Sequence, residues 1–353
     1  MNYTVFKGRR VLVTGDTGFK GSWLCEWLLN LGAEVSGFSL PPEPDAPLFD
    51  QLRLRDRIAH HDGDIRELDA VQSVLEAEKP EVVMHLAAQS LVRESYVQPK
   101  YTFDTNVGGS VNLLEAIRLC PDVKALIFVT TDKCYRNKEW DWGYRENDEL
   151  GGHDPYSASK AAAEIVFEGY QKSFWAGRSD FGAASARAGN VIGGGDWSKD
   201  RIVPDCVRAF MAREDAVVRN PLSVRPWQHV LEPLSGYLLL AQRLLGGDEN
   251  ACGAWNFGPD NEDVRPVREL AFQAAASWGG ARVVEKVDPN APHEAQLLTL
   301  SSEKAKRKLD WRARWDFNTA VDKTLSWYKL VAEGVDPQTV TSQQINGYMA
   351  DGN

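Results

Sequence analysis

Two kinds of apolar run alternate along this chain. Short, nearly continuous ones, such as Val11-Leu12-Val13 and Ala125-Leu126-Ile127-Phe128-Val129, read as strands buried on both faces. Between them, apolar residues recur every three or four positions, as on one face of an α-helix. Trp23, Leu24, Trp27, Leu28 and Leu31 do so after the first strand, and Val107, Val111, Leu114 and Ile117 within a helix predicted over 102–119. Ala161, Ile165, Val166 and Phe167 extend a helix that opens near Tyr156. Strands are predicted at 10–14, 34–40, a weaker one ending at 62–66, then 81–90, 125–129 and 183–187. Strand alternating with helix predicts an α/β fold with a doubly wound parallel sheet. Beyond Arg187 the rhythm loosens, although 233–245 and 267–276 keep helical spacing and Ser302 is placed to cap a helix at Glu303. A first domain over 1–186 and a smaller one over 187–353, interleaved with it, are the expected division.

Composition narrows the function classes. The 43% hydrophobic and 25% charged residues are those of an ordinary globular protein. A net charge of -10 argues against a general nucleic-acid binder. Five cysteines, at 25, 120, 134, 206 and 252, form no C-x-x-C pair. Neither a metal site nor a disulfide framework is expected, and a reducing cytoplasm fits them. The charged Lys7-Gly8-Arg9-Arg10 near the N-terminus is unlike a signal peptide, and no apolar run is long enough to predict a membrane span.

The chemistry-bearing motifs sit at strand ends. Gly15-Asp16-Thr17-Gly18-Phe19-Lys20-Gly21 is a G-x-x-G-x-x-G loop between a strand and a helix. Such a loop offers backbone N–H groups and a helix dipole to a dinucleotide phosphate. Gly15, Thr17, Gly18, Phe19, Lys20 and Gly21 are therefore the expected contacts. The second strand ends Gly37-Phe38-Ser39, without the acid that usually bonds the adenine ribose and without an arginine for a 2′-phosphate. NAD is favoured, with Ser39 at that position. Small Ala87 and Ala88 after Leu86 let a later loop approach the cofactor, and His85 reads as a packed strand histidine. Thr131, Asp132 and Lys133 follow the fifth strand, at the carboxyl edge where such sheets bind ligands. Tyr156 and Lys160, four apart, share a helix face, so the ammonium can lower the phenol pKa. A phenolate there can take a hydroxyl proton while a hydride leaves the same carbon. Arg187, Arg201, Arg208, Arg219 and Arg225 form a basic segment suited to a diphosphate, with Trp197 and Trp227 expected either beside the nucleotide or in the core.

These motifs resemble the extended short-chain dehydrogenase/reductase family. The blocks Asp132-Lys133-Cys134-Tyr135, 140–146, 152–157, 187–197 and 225–233 resemble, within it, the nucleotide-sugar dehydratases that act on CDP-glucose. The resemblance runs from about Gly8 to the end of the chain. It implies a Rossmann domain holding NAD, a smaller C-terminal domain for CDP-glucose, and a homodimer formed by the helices at 102–119 and 157–170. It also implies a role in deoxysugar synthesis. By resemblance, Thr131 binds the sugar 4-oxygen and Lys160 the nicotinamide ribose. Leu86, Ala87, Ala88, Asp64 and Ile65 line the cofactor, a helix N-cap being the other reading of Asp64. Ser90 reaches the sugar, and Asn190, Arg225, Arg201 and His293 the diphosphate. Related dehydratases read Thr-Asp-Glu where this chain reads Thr-Asp-Lys. Asp132 is assigned as acid for a departing water and Lys133 as base at C5; a structural Lys–Asp pair is the alternative. Another dehydratase, a 4-epimerase, and a non-enzymatic NAD sensor are the rival functions, the last expected to lack an intact Thr131, Tyr156 and Lys160.

Overall fold

The computed structural model describes residues 3–45, 47–287 and 297–351. Its centre is a sheet of seven strands: β1 (Arg10–Thr14), β2 (Glu34–Ser39), β3 (Ala59–Asp62), β4 (Val82–His85), β5 (Ala125–Val129), β6 (Gly182–Arg187) and β7 (Gly253–Asn256). Their order is β7-β6-β5-β4-β1-β2-β3, and every pair is parallel. Val11 lies beside both Val35 and Val82, and Ile127 beside Met84 and Ala184. All carboxyl ends therefore share one edge. The direction of travel reverses between β1 and β4, which opens a crevice at that edge.

β5 shows why the apolar runs are continuous. Ile127 and Val129 face a core with Trp23, Leu24 and Trp27, whereas Leu126 and Phe128 face a second core with Leu113 and Phe167. Both faces are covered, so no position along the strand can be polar. The first core is roofed by α1 (Phe19–Asn30); the second by the helices Gly109–Leu119 and Pro155–Tyr170. β7 comes from beyond residue 187 yet completes the sheet beside β6. The two last helices, Phe317–Ala332 and Pro337–Ala350, fold back towards α1, where the rings of Trp27 and Tyr348 meet edge to face at 5.7 Å.

Three local expectations are corrected. The helix predicted over 102–119 is a short helix Pro99–Phe103, a π-helical turn Asp104–Gly108, and Gly109–Leu119. A π turn inserts one residue and rotates the apolar stripe. Leu114 and Ile117 are buried as the spacing predicts, together with Leu113 and Ala116, and Val111 faces out. Ile165 is also exposed, at 59%. Ser302 does not cap its helix; its hydroxyl accepts from Gly258 N–H and donates to Gly258 O, at 2.9 and 3.0 Å. Among the described residues no helix is long and apolar enough to cross a membrane.

Candidate active site

The loop from β1 to α1 is built by close approach. Gly15 adopts φ +77°, and a Cβ there would lie 2.7 Å from the Ala87 nitrogen. Only glycine allows the two loops to touch. Gly18 ends the loop as the N-cap of α1 and brings no side chain to the first N–H groups of that helix. Those donors, with the helix dipole, suit a diphosphate. Thr17, just after β1, and Ser39, at the end of the neighbouring β2, are joined by a hydroxyl–hydroxyl bond of 2.9 Å. Asp64 accepts the Arg66 backbone N–H and guanidinium, each at 2.9 Å. It caps no helix, since the next one starts after Glu67. His85 is a packed histidine, bonded to the Thr14 hydroxyl at 2.7 Å.

Across the crevice stands the helix that carries Tyr156 and Lys160. Asp154 caps it, accepting from Ser157 N–H at 2.9 Å, and Pro155 takes the first turn, where no N–H is needed. Tyr156 and Lys160 are buried, and the phenol lies beside Thr131. The expected depression of the phenol pKa is not produced by these protein groups. Burial pushes Tyr156 up to about 12, while Thr131 and Arg201 pull the other way. Burial also lowers Lys160, to about 8, against the pull of Glu164.

At the end of β5, behind Thr131 and Lys133 of the cleft wall, lies Asp132. Its carboxylate is wholly buried and accepts from Thr131 Oγ1 at 2.9 Å and Asn190 Nδ2 at 3.1 Å. Lys133 Nζ stands 3.7 Å away. A Cβ on Gly189 would fall 1.9 Å from that carboxylate, so the chain can pass there only as glycine.

A single cleft of about 1690 Å³ joins these parts. It is walled by Gly15, Thr17, Gly18, Phe19, Lys20, Gly21, Ser39, Asp64, Ile65 and Leu86–Ala88 on one side, and by Thr131, Lys133, Tyr156 and Lys160 on the other. Ser90, Asn190, Arg201 and Arg225 line it too. With the geometry in place, similarity to known proteins separates the possible families. A profile of the family described as GDP-mannose 4,6 dehydratase matches residues 12–324. This chain belongs to that family. It is 45% identical over 349 residues to the CDP-glucose 4,6-dehydratase of Salmonella typhimurium (strain LT2), covering 98% of this chain and 97% of that protein. In fold it is similar to the dTDP-glucose 4,6-dehydratase of Bacillus anthracis, solved with NAD, with TM-score 0.77, 22% identity and coverage of 94% of this chain and 100% of that one. The UDP-glucose 4-epimerase of Thermus thermophilus, also solved with NAD, aligns with TM-score 0.77 at 25% identity, covering 91% and 99%.

Several family-pattern residues take places that spacing alone did not define. Arg201 donates to Asp196 at 2.9 Å and reaches Ser90 at 3.5 Å, so two expected substrate residues meet. Asn190 holds φ +50° and spends its amide on Asp132. Arg187, expected in the basic patch, is instead buried in an ion pair with Glu164 at 2.7 Å. Arg219 and Arg208 pair with Asp200 and Asp205. His293 lies outside the described residues. Lys20 is half-buried near Arg201, Lys160 and Lys133, and desolvation first, then those cations, lower its amine to about 7. Asn106 was not anticipated. The π turn aims it at Gln89, whose N–H it accepts at 2.8 Å, and its amide donates to Ser159 at 2.9 Å. It thus ties the Ala87–Ser90 loop to the Tyr156 helix. A mid-helix asparagine beside no cap signal leaves little trace in a sequence.

Proposed function

We propose that this chain is an NAD-dependent CDP-glucose 4,6-dehydratase, converting CDP-glucose to CDP-4-keto-6-deoxyglucose and water. The observation that carries the reading is the meeting of two pairs at one strand end: Thr131 with Tyr156, and Asp132 with Lys133. The 45% identical relative supplies the choice of cytosine nucleotide. When bound, NAD supplies the hydride acceptor for C4 and the donor for C6, and its cationic ring favours a neighbouring phenolate. The glycine cradle, the uncapped start of α1 and Ser39 are the groups that would hold it.

The chain's own part is proton movement. Tyr156 takes the 4-hydroxyl proton, with Thr131 bonded to the same oxygen. The ketone so formed acidifies C5–H. Both oxygens of Asp132 accept hydrogen bonds, the arrangement of a carboxylate facing an ammonium. One proton passing from Lys133 to Asp132 turns that ion pair into a neutral amine and a carboxylic acid. Lys133 then removes the C5 proton, and Asp132 protonates the departing 6-hydroxyl. Arg225 and Arg201 are the proposed diphosphate contacts, and the helix faces carrying Val111 and Ile165 the proposed dimer contact. The five free thiols suit the cytoplasm proposed for the enzyme.

The test is CDP-glucose carrying deuterium at C4. Deuterium should appear at C6 of the product with no net accumulation of reduced nicotinamide. Parallel incubations with dTDP-, GDP- and UDP-sugars should give far less 4-keto product. Preferred turnover of one of those sugars, or net cofactor reduction matching product, overturns the reading.

A further inference from the structure

Glu164 lies one helical turn beyond Lys160, at the bottom of the site rather than in the cleft. Its side chain is 2% exposed, and its carboxylate accepts three hydrogen bonds. Thr130, next to Thr131, donates to Oε1; Ser185 donates to Oε2 at 2.9 Å; and Arg187 donates to Oε2 at 2.7 Å. Lys160 is its electrostatic partner on the same helix. Arg187 is in turn held by the Tyr135 hydroxyl at 2.8 Å and the Glu146 carbonyl at 3.0 Å. Tyr135 reaches Asn256 on β7 at 2.8 Å, and Asn256 N–H donates to the Glu146 carboxylate at 2.9 Å. The blocks Asp132–Tyr135, 140–146 and 187–197 thus each lend a residue to one polar layer, of which Tyr135 also lines the cleft.

We propose that Glu164 is a positioning residue for the oxidation step, keeping Lys160 a cation and fixing Thr130 so that Thr131 meets Tyr156. The proposal rests on the roles given above to Tyr156 and Lys160. A buried ammonium needs an anion nearby or it loses its proton. The groups facing Lys160 are Lys20 from α1, His85 from β4, Cys134 from the turn after β5 and Glu164 from its own helix. Burial keeps His85 and Cys134 neutral, and Lys20 repels. Glu164 brings the negative charge. Burial pushes its own carboxyl up, but Arg187, Thr130 and Ser185 outweigh that and hold it below the usual range. Arg187 and its layer therefore keep Glu164 ionised, and Glu164 keeps Lys160 charged.

The experiment follows Lys160 directly, in NAD-free protein grown with lysine carrying 13C at the ε carbon. Its resonance is identified by its loss in Lys160→Arg. In Glu164→Gln the Lys160 titration should move down by about one pH unit or more, and in Glu164→Asp it should stay near that of wild type. Binding of NAD+ should weaken in Glu164→Gln far more at about pH 8.5 than at about pH 6.5. An unmoved titration, or a loss of binding equal at every pH, makes Glu164 merely structural and overturns the proposal. Should Glu164→Gln fail to fold, because it strands Arg187, the double variant Glu164→Gln/Arg187→Met removes both charges and is read in the same way. None of these readouts uses a nucleotide sugar, so a wrong substrate assignment would leave them standing, and their failure would leave the substrate assignment untouched.

Discussion

Lys133 keeps 30% of its side chain exposed while its partner Asp132 has none, so the two ends of the pair differ sharply in their access to water. The proposed division of labour makes the two acid–base pairs separable by mutation. Lys133→Met keeps the stem and removes the amine. It should stop elimination, by roughly the 10²–10⁴-fold typical of a lost general base, while C4 oxidation still shows as a transient reduced-nicotinamide absorbance. Tyr156→Phe should lose both the transient and the product. Rapid-scan spectra with product assay compare them, and a wild-type product rate in Lys133→Met would return that residue to a structural ion pair. The Tyr156–Lys160 spacing was legible because a helix repeats every few residues. The tie between Asn190 and Asp132 was not, because 58 positions separate them.

At the scale of elements, the helices Gly109–Leu119 and Pro155–Tyr170 bury one side against the sheet and leave the other in solvent. Val111, Ile165 and, just beyond, Phe174 are exposed at 36%, 59% and 51%. Neighbouring apolar side chains on a free face suit a twofold contact, since such a surface meets its own copy. The full chain should therefore run as a dimer by light scattering at micromolar concentration. Ile165→Asp should shift it towards monomer, because burying an aliphatic side chain contributes about 1.5–3 kcal/mol and the charge removes it. A monomeric wild type refutes this. Val111 was expected to face inward, since periodicity marks an apolar stripe without saying what covers it.

For the whole molecule, buried ionisable groups set the acid stability. Burial holds His85 and His229 neutral, each with a pKa of about 3. His229 is wedged between Trp23 and Trp315, with ring centres at 5.7 and 4.9 Å. Above about pH 6.5 a histidine is neutral folded or unfolded and contributes no pH dependence. Below that, the unfolded chain takes up two protons that the folded chain refuses, so stability falls as pH falls. Glu232 opposes them. Burial raises its pKa to about 7, so from there down to about pH 4.5 the folded state holds a proton the unfolded state lacks. One proton is worth about 1.4 kcal/mol per pH unit. Between about pH 6.5 and 4.5 the net loss should be roughly one such step per unit. In His229→Phe it should nearly vanish, and in Glu232→Gln it should double. Denaturant melts across that range measure the slopes; three equal slopes would exclude this account.

By itself the sequence determined what repeats or lies close along the chain: strand–helix alternation, the glycine loop, and the Tyr156–Lys160 and Thr131–Lys133 sets. Each depends on backbone periodicity or on neighbours within a turn. Tertiary structure alone decided that β7 returns to the sheet, that Gly189 and Asn190 close over Asp132, and that Arg187 leaves the ligand patch for Glu164. Those choices are made by packing between distant segments. A buried charge must find a partner wherever the fold brings one, and no spacing rule records which segment that will be.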